Sequence, residues 1–216
     1  MIVFDMDDTL YLERDFAFSG YEFLEQWVVN KTGQSGFGDA CKQLFLKGER
    51  RQVFDRASEM LGIEATPDLI TQLVEQYRTH PPQITLAPDA ARFLARAKGP
   101  FGLISDGPAY MQRNKSHALG LDTMITHVCL TGDWPDGHGK PHPRAFQEME
   151  GHSPTPAQMI YIADNPAKDF LTPNARGWHT IQITREGGVH DPNPETSAHA
   201  AQRMIAFFDE LEDWPV

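Results

Sequence analysis

Cysteine is scarce. Cys41 and Cys129 are the only two in 216 residues, far apart and in no CxxC pair. That spacing offers neither a disulfide-stapled scaffold nor a thiolate zinc site, so two free buried thiols in a reducing compartment are expected. Long apolar runs are also missing. Nothing approaches the roughly 18 consecutive apolar residues of a membrane span. No basic stretch leads into an apolar one at the N-terminus, so no secretory signal is expected and the expectation is a soluble, cytoplasmic protein. Positive charge is in deficit, with 19 Lys and Arg against 30 Asp and Glu, a formal net charge of −11. Such a surface repels polyanions, so neither nucleic acid nor an anionic membrane is an expected partner. A small phosphorylated metabolite is not excluded, because local cations or a metal override the global sign. The oligomeric state cannot be read from the sequence. At 40 % hydrophobic residues the chain can bury a real core.

What is present begins with MIVFDMDDTLY, three aspartates within four positions behind Ile2, Val3 and Phe4. The apolar triplet reads as a buried strand. From about residue 16 to 80 the apolar positions recur three or four apart, with Thr66-Pro67-Asp68 as a helix start, so this stretch is expected to be helical. From about residue 83 the pattern alternates. LAPDAARFLARAK, AYMQRNKSHALGL, HPRAFQEME and FLTPNARG read as helices, and PFGLIS, MITHVCL, MIYIAD and HTIQI as strands. The end, RMIAFFDELEDW, reads as a strand and a helix or as one helix, after a Gly/Pro/Asn loop at 187–194. The fold class is therefore α/β, a Rossmann-like three-layer core around a parallel sheet, with an inserted helical segment. The expected boundaries are 1–14 and 83–216 for the core and 15–82 for the insertion.

In open parallel sheets, ligands bind beyond the carboxyl ends of the strands. The residues at those ends are Asp5, Asp7, Asp8 and Thr9, then Ser105, Asp106 and Gly107, then Lys140, then Asp164, Asn165 and Asp169. Asp5, Asp7 and Asp164 offer hard oxygen ligands suited to Mg²⁺, which would relieve the repulsion among the clustered acids. Ser105, Lys140 and the amides of the Asp106-Gly107 turn are suited to a phosphoryl group. Each has a bland alternative: a solvated acidic turn, a surface lysine, a helix cap for Ser105, a turn cap for Asn165. His138 and His142 flank Lys140 but lack further ligands at zinc spacing, so they are read as loop residues. Arg14, Lys47, Arg50 and Arg51 are read as solvated, with one of them a candidate for a second anionic group on a substrate.

Together these stretches resemble the haloacid dehalogenase-like hydrolase superfamily. DMDDT fits its DxDxT signature, LISDG its second motif, GKPHPRAF its third and IADNPAKDF its fourth, in order and each behind a strand. The helical insertion after the first motif resembles the cap of the subgroup that includes phosphoglycolate phosphatase and β-phosphoglucomutase. His142 departs from the acidic residue expected there. The resemblance implies that Asp5 attacks phosphorus and forms an aspartyl-phosphate, and that Asp7 protonates the leaving oxygen and then deprotonates water. It implies Mg²⁺ on the Asp5 carboxylate, the Asp7 carbonyl and Asp164. Asp169 and Asn165 would support the metal's surroundings, and Thr9 the loop. Proximity of Asp7 to Asp5 and to a substrate anion is expected to favour its protonated form unless the metal offsets this.

Members of the superfamily that cleave carbon–halogen bonds lack an acid at the position of Asp7. Its presence therefore implies a Mg²⁺-dependent phosphatase acting on a small phosphomonoester, such as a sugar phosphate or nucleoside monophosphate. A phosphomutase is the alternative. A receiver-like phosphoacceptor ranks lower, because its phosphorylated Asp follows a later strand and it has no helical insertion there. A non-catalytic binding protein ranks lower too, because every motif residue is present.

Overall fold

The computed structural model describes residues 1–153, 155 and 158–211. The chain divides into two compact units, Met1–Arg14 with Ile84–Val216, and Asp15–Gln83.

The first unit is built on a six-stranded, fully parallel sheet. Its strands are β1 (Ile2–Phe4), β2 (Phe101–Ser105), β3 (His127–Leu130), β4 (Ile160–Ala163), β5 (His179–Ile183) and β6 (Arg203–Ile205), in spatial order β3-β2-β1-β4-β5-β6. β1 lies between β2 and β4, so the chain winds outward in both directions from it. That is the switch point where α/β sheets bind ligands. The strands read as near-continuous apolar runs because both sheet faces are covered. Val3 joins Phe146, Met149, Tyr161 and Trp178 on one face. Phe4 meets the rings of Phe93, Phe101 and Phe208 at 6.2, 5.7 and 5.9 Å, all edge-on.

The helices of this unit include α5 (Pro88–Arg96), α6 (Ala109–Ala118), α7 (Arg144–Glu150) and α8 (Leu171–Ala175). The second unit holds most of α1 (Glu13–Thr32), then α2 (Phe37–Leu46), α3 (Val53–Met60) and α4 (Pro67–Thr79). α4 starts as its sequence indicates, with Pro67 in the first turn and the Thr66 hydroxyl accepting from the Leu69 amide at 3.2 Å. Aromatic packing of Tyr21, Phe45, Phe54 and Tyr77 fills this unit. Arg50 is exposed, and its guanidinium also stacks on the Phe45 ring at 3.7 Å. No described helix is long and apolar enough to cross a membrane.

Two sequence readings need correction. The strand expected over MITHVCL begins only at His127. Gly120 adopts the left-handed conformation after α6 (φ 71°), and a 3-10 turn at Leu121–Thr123 takes up the chain before the strand. Ile125 is buried without belonging to the sheet, which is why its apolar character misleads. Near the C-terminus the chain forms β6 and then a 3-10 turn at Phe208–Leu211, not an α-helix. The rest of that stretch, 212–216, lies outside the described residues.

One buried ion pair fastens the sheet to the loop behind β1. Arg185 pairs with Asp89 at 3.0 and 3.3 Å, with both side chains under a tenth exposed, and donates from Nε to the Thr9 carbonyl at 2.8 Å. Asp89 also accepts from the Phe208 amide at 2.8 Å. Removing one partner of such a pair strands the other charge. Asp89→Ala is expected to cost about 3–5 kcal/mol in urea unfolding, while Thr66→Ala should cost about 1 kcal/mol.

Candidate active site

Strand pairing of β1 ends at Phe4, and the Asp5 amide still donates to the Ile162 carbonyl at 2.9 Å. The chain then turns, with Asp8 in the left-handed region (φ 51°). Asp8 holds that turn by accepting from the Glu13 and Val189 amides at 2.8 and 2.7 Å. It thereby tethers the 187–194 loop, whose role the sequence left open. Gln182 fixes the far side of that loop through the Pro192 carbonyl at 2.8 Å.

Asp5, Asp164 and Asp169 converge. Carboxylate oxygens of the three, all buried, lie within 4.8 Å of one another. Lys140 enters this cluster, its Nζ 2.7 Å from both Asp5 Oδ1 and Asp169 Oδ1 and 3.0 Å from the Tyr161 hydroxyl. Asp169 Oδ2 accepts from the Asn165 amide at 3.0 Å, so both of its oxygens are engaged by the protein. The Asn165 side chain accepts from the Ala167 amide, which makes it the cap of this turn.

The electrostatics follow from this crowding. Burial raises the Asp164 carboxyl, and the charges of Asp5 and Asp169 add to it, to about 9. Burial also raises Asp5, Lys140 pulls it back and Asp169 opposes, leaving it at about 6. Burial disfavours the Lys140 ammonium, but Asp169 and Asp5 more than compensate and hold it well above the ordinary lysine value. Acids raised by mutual repulsion in a buried pocket of hard oxygens are what a divalent cation relieves. The donor set of hard oxygens suits a divalent cation.

Asp7 departs from expectation. Burial would raise it, but Lys115 reverses the direction. The Lys115 Nζ lies 2.7 Å from Asp7 Oδ1, the Tyr11 hydroxyl donates to the same oxygen, and Gln112 Nε2 donates to Oδ2 at 3.2 Å. The net effect holds the Asp7 carboxyl below the usual carboxylate range. The expected preference for the protonated form does not arise among these side chains.

Ser105 ends β2 fully buried, and its hydroxyl has no hydrogen-bond partner among the described residues; the same is true of Thr9. Gly107 occupies a backbone conformation that strains other residues (φ 117°). A Cβ on Gly132 would fall 2.1 Å from the Gly107 carbonyl, so these two loops touch backbone to backbone. The Asp106 carboxylate is committed elsewhere. It accepts from the Thr131 hydroxyl at 2.8 Å and the Lys140 amide at 3.2 Å, and Lys168 lies 3.4 Å away. Only the backbone of the Asp106-Gly107 turn is left for an anion. His138 and His142 lie together at 4.6 Å between ring centres, each bonded to nearby backbone, as loop residues do.

Sequence reasoning missed Lys115, Gln112, Tyr11, Tyr161 and Lys168. A signal existed for two of them. α6 turns Gln112, Lys115 and Ser116 inward where a surface helix normally carries apolar residues.

The sheet is doubly wound, and its carboxylates and a buried lysine gather at the switch point, where α/β folds of this class place their ligand sites. The chain belongs to the haloacid dehalogenase-like hydrolase family, whose model matches residues 1–177. Glyceraldehyde 3-phosphate phosphatase of Methanopyrus kandleri is 24 % identical over 209 residues, covering 89 % of this chain and 87 % of that protein. Among solved structures, magnesium-bound YfnB of Bacillus subtilis superposes with a TM-score of 0.66 at 15 % identity, over 97 % of this chain and 95 % of that one. The L-2-haloacid dehalogenase of Xanthobacter autotrophicus gives 0.64 at 20 % identity, over 97 % and 95 %. A Haemophilus somnus protein described as a predicted phosphoglycolate phosphatase gives 0.63 at 18 %, over 98 % and 95 %. At these identities the structures share the fold.

Proposed function

We propose that this hydrolase is a Mg²⁺-dependent phosphatase that cleaves a small phosphomonoester through an aspartyl-phosphate on Asp5. The observation that carries the reading is the pairing of two differently held carboxylates. Asp5 sits against Lys140 inside the acidic cluster, while Asp7 sits against Lys115 outside it. Environments that separate two carboxylates in this way assign them different tasks.

Asp5 is the nucleophile. Its Oδ1 is fixed by Lys140, which leaves Oδ2 to attack phosphorus. The Ser105 hydroxyl, the Asp106-Gly107 backbone and Lys140 steady the phosphoryl oxygens as charge develops. Asp7 donates a proton to the departing oxygen and later takes one from the attacking water. Asp5, the Asp7 carbonyl and Asp164 would hold Mg²⁺, with Asp169 and Asn165 shaping the turn around it. The bound cation supplies charge neutralisation that lets an anionic nucleophile approach an anionic phosphate. In this reading the Asp15–Gln83 unit is the inserted cap domain. Asp7 with its three donors favours phosphoester over carbon–halogen cleavage, since halide leaves without a proton.

The test is p-nitrophenyl phosphate hydrolysis with and without Mg²⁺, then a panel that includes glyceraldehyde 3-phosphate, phosphoglycolate, sugar phosphates and nucleoside monophosphates. Mg²⁺-dependent release is expected. A folded protein releasing phosphate from none of them would point to a phosphomutase instead, and bisphosphorylated sugars would then be tested.

A further inference from the structure

We propose that Lys115, Gln112 and Tyr11 are positioning residues that clamp the Asp7 carboxylate so that its Oδ2 alone exchanges the reacting proton. This rests on the phosphatase reading above. Asp7 Oδ1 receives two donors, the Lys115 ammonium at 2.7 Å and the Tyr11 hydroxyl. A carboxylate oxygen offers two lone-pair sites, so Oδ1 is filled. Asp7 Oδ2 receives one donor, Gln112 Nε2 at 3.2 Å, and keeps one site. Gln112 donates from the same nitrogen to the Asp106 carbonyl. Both of its contacts are acceptors, which fixes the orientation of the amide. The clamp therefore ties Asp7 to the turn that faces the phosphoryl oxygens.

Fold stability gives no reason for this arrangement. Lys115 is 2 % exposed and lies on the inner face of α6. Replacing a buried ion pair with apolar side chains of similar size is often neutral or stabilising. What the pair does provide is direction, and misplacing a reacting group by a single ångström can cost about 10²-fold in rate.

The proton balance follows. An ester whose leaving oxygen needs a proton brings one in as the substrate monoanion; Asp7 Oδ2 takes it up and passes it to the leaving oxygen as the Asp5 oxygen bonds to phosphorus and the ester bond breaks. As water then bonds to phosphorus and the Asp5–phosphorus bond breaks, Oδ2 takes the water proton back. The second half depends on Asp7 for every substrate. The first depends on it little when the leaving group is p-nitrophenolate, which departs without a proton.

The experiment is rapid-mixing hydrolysis of p-nitrophenyl phosphate with Mg²⁺ by wild type, Lys115→Met and Tyr11→Phe, with the phosphoenzyme followed by intact-protein mass. For Lys115→Met we expect a stoichiometric nitrophenol burst within about threefold of the wild-type rate, steady turnover reduced by about 10²-fold, and accumulated phosphoenzyme. Tyr11→Phe removes one hydroxyl and should show the same split at about tenfold, so the test survives if the lysine variant does not fold. Steady turnover within about twofold of wild type in the folded variants overturns the proposal. So does a burst slowed in proportion to turnover, which is the mark of general damage to the site. Failure of the phosphatase reading is recognised separately: a folded wild type that forms no phosphoenzyme and turns over no ester overturns both.

Discussion

Asp5→Asn is expected to lower turnover by at least about 10⁴-fold, the scale on which nucleophile removal acts, and to form no phosphoenzyme with any ester. An amide cannot serve as the attacking oxygen, and among the described residues no other carboxylate is held as Asp5 is. Asp164 is raised to about 9, and both oxygens of Asp169 are engaged by Lys140 and the Asn165 amide. The fold should survive, because Lys140 keeps Asp169 and Tyr161 as partners. Relieving Asp164 of the Asp5 charge should also lower its pKa. Asp7→Asn gives the informative contrast. It should equally abolish turnover, yet accumulate phosphoenzyme from p-nitrophenyl phosphate, because that leaving group asks little of an acid. Phosphate release and intact-protein mass read both variants. Full activity in Asp5→Asn would remove it as the nucleophile, and a phosphoenzyme-free Asp7→Asn would remove the acid–base assignment.

The parts of this site that were legible in the sequence share one property: they sit at strand ends. Asp5 and Asp164 follow a short apolar run, Ser105 ends one, and Lys140 comes at the far end of the loop after another; a parallel sheet brings such positions to one edge whatever the intervening chain does. Lys115 and Gln112 reach the same edge from the inner face of a helix, 108 and 105 residues from their partner Asp7. No local pattern announces a contact of that separation. The only trace is a polar residue where the helix should be apolar. Tyr161 illustrates the opposite disguise. It looks like one more buried strand residue, and it is, but its hydroxyl also bonds Lys140. The charge state of Asp7 is hidden from the sequence for a similar reason. Its neighbours in sequence are acids, whereas its decisive neighbour in space is a lysine.

Removal of Mg²⁺ by a chelator is expected to abolish turnover, and the affinity for the ion should rise by about 10²-fold between pH 7 and pH 9. The argument runs through Asp164. Its carboxyl sits at about 9 in the metal-free fold, because of burial and the charges of Asp5 and Asp169, against about 3.9 for an unperturbed aspartate. At pH 7 it is protonated, so an incoming cation must displace that proton, and each pH unit up to about 9 should tighten binding about tenfold. Asp5, at about 6, has already ionised over this range. The stability consequence has a definite sign. A carboxyl raised on folding binds a proton in the native state that the unfolded chain has lost. Its contribution is complete below about pH 4 and disappears as pH rises through about 9, at a slope of at most about 1.4 kcal/mol per pH unit. Metal-free protein should therefore lose stability from this group as the solution becomes alkaline, while the stabilisation given by saturating Mg²⁺ grows. Calorimetric titration at pH 7.5 in two buffers of different ionisation enthalpy would count the released proton, and thermal melts with Mg²⁺ or chelator across pH 7 to 9 would follow the linkage. Asp164→Asn should lose both the proton release and most of the affinity. Mg²⁺ binding that stays flat with pH and releases no proton would show that the ion does not sit on Asp164.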